Sequence, residues 1–230
     1  QYPRVMRWAI AQMLSSIRQW DFRAAERADL VLANSRHTQK RIAKYWRRAS
    51  EVVYPPVDIT RFKPSRASED FFLIVSALTP FKRIDLAVRA FNENGRRLVI
   101  VGDGAQRQYL ESIANSNITF LGRKMDGEVE RYYESCRALI FPGEEDFGIT
   151  PVEAMAAGKP VLAYGVGGVT ESVVAGVSGD FFYEPTPESL AQGLEKLCAR
   201  EKAYDPQKIR SLAERFSAEV FAEKIRKFVG

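Results

Sequence analysis

The feature that most constrains the fold is an alternation of short apolar runs and helical stretches from residue 71 onward. The apolar runs are nearly continuous, which is typical of parallel strands buried on both faces. They predict strands at 71–76, 97–102, 118–121, 138–141, 161–164 and around 180–183. The stretches between them predict helices at about 82–93, 104–114, 127–136, 151–157, 168–175 and 187–199. This order predicts an α/β fold, a doubly wound parallel sheet covered by helices on both faces.

The first fifty residues are organised differently. Residues 3–27 predict one amphipathic helix, residues 29–33 a short buried strand, and residues 34–48 a second helix. One strand cannot form a sheet by itself, and the sequence has no initiator Met. We therefore expect this segment to be the remnant of an N-terminal domain of a longer protein.

Pro55-Pro56 predicts a stiff connector, because proline continues neither a helix nor a central strand. After the helix predicted at 187–199, two further helical stretches, near 206–213 and 217–228, close the chain. The expected domains are an N-terminal remnant at 1–50, a connector at 51–70, a ligand-binding domain at 71–214 and a final helix at 215–230.

Positive charge is concentrated at the start of the chain. Residues 1–50 hold eleven Arg and Lys against three acids, a net +8, so the remaining residues carry −3 of the total +5. A basic segment with aromatic and aliphatic neighbours favours an anionic membrane surface or a phosphate-bearing partner, although a solvated helix face has the same pattern. No nucleic-acid module is recognisable, so no nucleic-acid partner is expected.

The two cysteines, Cys136 and Cys198, have no metal-ligand spacing. Such lone cysteines are typical of a reduced, cytoplasmic protein. No apolar run approaches eighteen residues, so no spanning helix is expected. Together with the basic segment, these features predict a cytoplasmic protein that contacts the inner face of a membrane peripherally.

The stretch that follows the fourth predicted strand carries the clearest site pattern. It reads F-P-G-E-E-D-F-G-I-T-P-V-E-A from Phe141 to Ala154. Thr150 is expected as N-cap of a helix, with Pro151 at its first position and Glu153 completing a capping box. Unpaired N–H groups at this helix start would suit a phosphate. Glu145 and Glu153 would accept hydrogen bonds from sugar or ribose hydroxyls, so the stretch predicts a nucleotide-sugar site. The alternative is a cap and a solvated acidic loop.

Other loops at the same edge of the sheet carry further candidates. Lys82 and Arg83 are expected in the first turn of a helix, where cations are unfavourable unless a diphosphate is bound. Gly102-Asp103-Gly104 would let the backbone approach a ligand, or would form a simple tight turn. Arg123 and Lys124 would line the base end of the site, or would be solvated.

A nicotinamide dinucleotide site is disfavoured. Arg107 stands where the third glycine of the dinucleotide fingerprint belongs, and no acidic residue closes the next strand. An oxidoreductase or sugar epimerase is therefore a weaker alternative. No Asp-x-Asp pair occurs, so no metal is expected.

These motifs resemble the donor-binding, C-terminal half of a retaining glycosyltransferase of the GT-B type, family 4 (group 1). The O-antigen and capsule mannosyltransferase branch is the nearest likeness. The matching segments are Ala33–Ser35, Tyr54–Asp58, Ser76–Arg83, Val101–Gly104, Phe120–Gly122 and, most specifically, Glu145–Glu153.

The resemblance implies roles for the matching residues. Glu145 would hold hydroxyls of the donor sugar, Glu153 the ribose, and Lys82 the diphosphate. Backbone amides of four consecutive residues would contact sugar and diphosphate, namely Phe147, Gly148, Ile149 and Thr150. The family's arginine five residues before the lysine is Ala77 here, and Ser76 replaces a glycine, which weakens the expected phosphate clamp.

We therefore expect a glycosyltransferase that moves a sugar from a nucleotide-sugar to a saccharide or lipid-linked acceptor with retention. The resemblance favours mannose and a GDP-sugar over a UDP-sugar, without a cofactor. It also implies that the last helix packs back toward the N-terminal domain, and that these residues alone transfer weakly. A non-catalytic nucleotide-binding module is the alternative.

Overall fold

A six-stranded parallel sheet organises the larger part of the protein in a computed structural model that describes residues 3–229. Its strands are β3 (Phe72–Val75), β4 (Leu98–Val101), β5 (Ile118–Gly122), β6 (Leu139–Phe141), β7 (Val161–Tyr164) and β8 (Gly179–Phe182). A separate two-stranded sheet contains β1 (Leu32–Ala33) and β2 (Glu51–Val52). Residues 1, 2 and 230, which the predicted terminal segments include, lie outside the described residues.

Ten α-helices are described. They are α1 (Arg4–Glu26), α2 (Arg36–Tyr45), α3 (Ile84–Asn94), α4 (Arg107–Ile113), α5 (Asp126–Ser135), α6 (Ile149–Ala156), α7 (Val169–Ser172), α8 (Pro187–Ala199), α9 (Pro206–Ala213) and α10 (Ala218–Val229). Short 3-10 turns cover Ile59–Arg61, Pro80–Lys82, Glu201–Ala203 and Glu214–Phe216. No described helix has both the length and the apolar character needed to cross a bilayer.

The strand order places a switch point at the centre of the large sheet. The order is β5-β4-β3-β6-β7-β8, with every pairing parallel. The chain builds outward in one direction from β3 and then in the other direction from β6. In such sheets the loops that leave the two central strands diverge at their carboxyl ends and leave a crevice for a ligand. The loops after β3 and β6 therefore border the site.

Helices cover both faces of this sheet. Helix α3 packs against α4 and α8, while α6 packs against α5, α7 and α9. The strands are buried because their side chains meet helices on either side; Leu73, Ile100 and Leu139 are inaccessible to solvent. This arrangement confirms the predicted doubly wound α/β fold.

The chain divides into two compact units, the first ending at Val53 and the second beginning at Tyr54. In the first unit, β1 pairs in parallel with β2, with Leu32 opposite Glu51. The expectation of a single isolated strand was therefore wrong, because residues 51–52 supply its partner. Helix α2 begins at the predicted cap: the Ser35 hydroxyl accepts a hydrogen bond from Thr38 N–H at 3.0 Å. The finer division into four segments stays a prediction.

Candidate functional site

The loop after β3 presents Lys82 and Arg83 ahead of helix α3, not within its first turn. Pro80 begins a separate 3-10 turn, and Arg83 adopts a left-handed conformation with φ of 51°. This break delays the start of α3 to Ile84. The expected helix position of both cations was therefore wrong, and Asp85 is the charged residue in the first turn of α3.

The loop after β6 turns into helix α6 at Gly148. Gly148 has φ of +87°, a conformation that side-chain-bearing residues rarely adopt, so the turn is made two residues before Thr150. Thr150 lies inside the helix, and its predicted role as N-cap was wrong. The N-cap residue Gly148 has no side chain to cap this helix start, and free N–H groups in the first turn of a helix can bind a ligand anion.

Lys82 and Glu145 meet across the switch point. Lys82 Nζ lies 2.5 Å from Glu145 Oε1, and the two side chains are only 18% and 23% exposed. The pair joins the loop after β3 to the loop after β6. A cation and a carboxylate thus share one half-buried position at the carboxyl edge of the sheet, where the sequence placed both loops but did not predict this contact.

Glu153 faces the protein interior rather than its own helix start. The hydroxyl of Tyr133, a fully buried residue of α5, donates a hydrogen bond to Glu153 Oε2 at 2.7 Å. The predicted capping-box role of Glu153 was therefore wrong. Its carboxylate has room for further donors, because two carboxylate oxygens offer about four acceptor positions.

Burial has the largest effect on the pKa values of Glu153 and Tyr133. Loss of solvent raises the pKa of Glu153, although the Tyr133 hydrogen bond and the positive charge of Arg61 both favour the ionised form. Burial also raises the pKa of Tyr133 well above its ordinary value, so Tyr133 acts as a neutral donor. Sequence reasoning missed Tyr133 and Arg61, because no local pattern links either residue to a carboxylate twenty or more positions away.

The acidic loop, which connects β6 to α6, packs against aromatic rings. Phe147 is buried, with its ring centroid 5.7 Å from that of Tyr54 and 5.3 Å from that of Phe216. The Gly168 N–H donates a hydrogen bond to the Glu145 carbonyl at 2.9 Å. The Phe147 ring is therefore a structural anchor, and contact of its backbone amide with a donor stays a prediction. Ile149, two residues along, is exposed.

Gly102 and Gly104 pack against the loop after β3. A Cβ atom on Gly102 would lie 1.9 Å from the Ser76 carbonyl oxygen, and one on Gly104 would lie 2.5 Å from the Leu78 carbonyl oxygen. Close approach of two loops therefore explains both glycines without a ligand. Asp103 is also engaged internally: the Gly104 N–H and then Arg107 lower its pKa. Contact of Gly102 and Gly104 with a donor stays a prediction.

Two of the three remaining predicted cations, Arg83 and Lys124, have local partners. Arg83 Nε lies 3.3 Å from Asp85 Oδ1, and Arg83 lines a separate cavity of about 220 Å³ beside Tyr109. Lys124 Nζ lies 3.3 Å from Glu128 Oε1, while Arg123 is exposed. Neither contact brings these cations to the Lys82–Glu145 pair, so their donor-binding roles stay predictions.

The described residues contain no group of three or more His, Cys, Asp or Glu side chains placed to hold a metal ion. The charged groups that converge at the switch point are instead Lys82 and Glu145. Such an arrangement can bind a diphosphate through the ammonium and the helix start, and polyol hydroxyls through the carboxylates.

Comparisons with known proteins agree with this geometry. The chain is 34% identical over 139 residues to an uncharacterized glycosyltransferase, MJ1607 of Methanocaldococcus jannaschii, covering 56% of this chain and 36% of that protein. It is 26% identical over 243 residues to the alpha-1,3/1,6-mannosyltransferase ALG2 of Homo sapiens, covering 88% of this chain and 58% of that protein. The chain thus spans 36% to 58% of the length of these relatives.

The fold recurs in Alr3699/HepE of Anabaena, whose structure was solved in complex with UDP-glucose. The TM-score is 0.81 at 24% identity, over 92% of this chain and 66% of that one. The model of a family described as glycosyl transferases group 1 matches residues 58–216, which include every predicted site residue. The chain belongs to the family of group 1 glycosyl transferases.

Proposed function

We propose that the carboxyl edge of the large sheet binds a nucleoside diphosphate sugar and that the protein transfers the glycosyl group with retention. The observation that carries this proposal is the Lys82–Glu145 contact of 2.5 Å at the switch point, in the loop that leads to the glycine-capped start of α6. Lys82 and the N–H groups of α6 would stabilise negative charge on the leaving diphosphate. Glu145 would bind hydroxyls of the sugar.

Binding of the donor would exchange one ion pair for two ligand contacts. Lys82 and Glu145 neutralise each other in the free protein, so neither charge is left unpaired in its half-buried position. A diphosphate would take over Lys82 and release the Glu145 carboxylate toward the sugar. Glu153, held by Tyr133, would accept hydrogen bonds from the ribose at the other end of the ligand.

We propose mannose as the sugar, because a mannosyltransferase is among the relatives that cover 88% of the chain. The acceptor would be a saccharide or a lipid-linked saccharide. The expectation of a GDP-sugar has no support from the neighbouring structure, which contains UDP-glucose. Parallel titrations with GDP-mannose and UDP-glucose show which of these two donors the protein prefers.

Glu145→Gln tests whether Glu145 binds the sugar of the nucleotide-sugar donor. The amide keeps the size and one acceptor but loses the charge, so affinity for the nucleotide-sugar should fall by about 1.5–3 kcal/mol. Affinity for the nucleoside diphosphate should not fall, since that ligand lacks the transferred sugar that Glu145 is proposed to bind. Isothermal calorimetry with both ligands measures the difference, and Glu184→Gln, in an exposed position, is the matched control. Equal losses for the two ligands would show that Glu145 does not contact the sugar.

We further propose peripheral contact of helix α1 with the inner, anionic face of a membrane. Val5, Trp8 and Trp20 are exposed on this helix, which also carries Arg4 and Arg18. Exposed tryptophans beside arginines suit the interface of an anionic bilayer. Co-sedimentation with phosphatidylglycerol vesicles should exceed that with phosphatidylcholine vesicles, and Trp8→Ala with Trp20→Ala should reduce it. Equal sedimentation with both vesicle types would contradict this contact.

A further inference from the structure

A second cavity lies at the opposite edge of the large sheet from the Lys82–Glu145 pair. Its volume is about 440 Å³, and its lining includes Arg66, Arg137, Lys159, Lys202 and Tyr204. Arg137 and Lys159 each stand two residues before a strand, β6 and β7 respectively. The cavity, termed here the amino-edge cavity, therefore lies at the amino ends of strands whose carboxyl ends border the proposed donor site.

Lys159 is the unusual residue of the amino-edge cavity. Its side chain belongs to a residue only 3% exposed, and its Nζ donates one hydrogen bond, to the Ala67 carbonyl at 2.7 Å. An ammonium group has three N–H donors, so two of them have no acceptor among residues 3–229. Buried lysine is uncommon unless its charge is balanced. Burial lowers the pKa of Lys159, and an anion in the cavity would favour its charged form.

The cavity lining has an excess of positive charge. Arg137 is neutralised: it lies 2.6 Å from Glu201 Oε2 and 2.8 Å from Asp70 Oδ1. Arg66, Lys159 and Lys202 have no carboxylate within ion-pair distance in the described part of the chain. Three cations therefore line one cavity, and Glu201, the one carboxylate among the described lining residues, is already paired with Arg137.

We propose that the amino-edge cavity binds a small phosphate monoester of a sugar or polyol. A phosphate dianion would accept hydrogen bonds from the two free donors of Lys159 and would be neutralised by Arg66 and Lys202. The hydroxyls of Ser65 and Ser68, which also line the cavity, would hydrogen-bond to the polyol. The volume is in the range of small-molecule sites. This site is independent of the proposed donor site.

The test is calorimetric titration of the protein with glucose 6-phosphate, glycerol 3-phosphate and inorganic phosphate, each with and without saturating UDP, and with UDP alone. We expect both esters to bind, more tightly than inorganic phosphate, and UDP not to compete. Lys159→Met removes the buried ammonium and should weaken binding at least tenfold. Arg66→Ala with Lys202→Ala should also weaken it about tenfold, without a buried substitution. Lys196→Ala, an exposed change outside the cavity, should leave affinity unchanged.

Several results would overturn the proposal. One is no heat of binding with either ester at millimolar concentration, and another is competition with UDP. Unchanged affinity in the Arg66→Ala, Lys202→Ala double variant would also overturn it, even if Lys159→Met failed to fold. Because UDP saturation is measured separately, failure at this cavity leaves the donor-site test unaffected.

Discussion

At the scale of single residues, Glu153 is a half-buried carboxylate with few hydrogen-bond donors. A carboxylate placed for stability would have several donors, yet the Glu153 carboxylate accepts one hydrogen bond among residues 3–229, from Tyr133. Burial therefore acts against its charge and raises its pKa. Such an incompletely satisfied carboxylate is costly in the free protein and is expected where a ligand completes the hydrogen bonds.

Because burial of the Glu153 charge costs free energy in the folded protein, we expect that Glu153→Gln does not destabilise the protein at neutral pH. A raised folded-state pKa means that the folded protein binds the proton more tightly than the unfolded chain. Folding stability attributable to Glu153 is therefore present at low pH and is lost as the pH rises through the folded-state pKa. Glutamine carries no charge and can still accept the hydrogen bond from Tyr133. The variant should therefore not lose folding stability at this position as the pH rises.

The measurement is thermal unfolding of both proteins at pH 4 and pH 7, with nucleotide binding alongside. The melting temperature of Glu153→Gln should equal or exceed that of the wild type at pH 7, and its advantage should shrink at pH 4. Nucleotide affinity should fall by about 1.5–3 kcal/mol, the range for a hydrogen bond to a charged group. A variant less stable at pH 7 with unchanged nucleotide affinity would assign Glu153 to the fold alone.

Residue patterns predicted some site positions and misplaced others for identifiable reasons. The placement of Lys82 and Glu145 at one edge of the sheet was predicted because each residue follows a buried strand, but the contact between the two side chains was not predicted. Thr150 was misplaced because Gly148 at φ of +87° makes the turn earlier than a cap motif indicates. Tyr133 could not be found, since its contact with Glu153 depends on packing of α5 against α6.

At the scale of elements, the acidic loop depends on rings that come from distant parts of the chain. Tyr54, Phe147 and Phe216 form mutual contacts with centroid separations of 5.2 to 5.7 Å. Phe216 ends the 3-10 turn before α10, where Val57 N–H donates to the Phe216 carbonyl at 2.8 Å. The cluster therefore ties the loop that carries Glu145 to the connector and to the last helix.

Phe216→Ala should lower the free energy of unfolding by about 3–5 kcal/mol, because Phe216 is 1% exposed and its loss leaves a cavity beneath Phe147. Urea denaturation followed by circular dichroism measures this loss. Phe228→Ala on α10 removes the same atoms from a position that is 37% exposed, and its effect should be much smaller. Comparable losses for the two variants would contradict the anchoring role of Phe216.

The sequence predicted helices and strands well where buried apolar residues recur along the chain. It predicted the ends of elements poorly where those ends depend on contacts between loops. Continuous apolar runs located all six strands of the large sheet to within a few residues, since parallel strands buried on both faces leave that pattern. Helix α4 begins at Arg107 rather than near 104 because Gln106 N–H donates to the Leu78 carbonyl at 2.9 Å. That contact joins two loops, and local propensity carries no information about it.

At the scale of the whole molecule, strand order determines which residues meet. The β5-β4-β3-β6-β7-β8 order places the loops of β3 and β6 side by side, although Lys82 and Glu145 are 63 positions apart in the sequence. The alternation of strands and helices predicted the sheet class, but the pairing of β3 with β6 required the structure. The amino-edge cavity likewise arises from segments that only the sheet brings together.

The most direct test of the donor site is calorimetry of wild type and Lys82→Ala with nucleoside, nucleoside diphosphate and nucleotide-sugar. Wild type should bind the two diphosphate ligands more tightly than the nucleoside. Lys82→Ala should lower both affinities by about 1.5–3 kcal/mol, because a charge-assisted contact is lost, and should leave nucleoside affinity unchanged. Lys196→Ala, an exposed lysine on α8, is the matched control and should have no effect. Equal loss for all three ligands, or no binding of any nucleotide by wild type, would contradict a diphosphate site at the switch point.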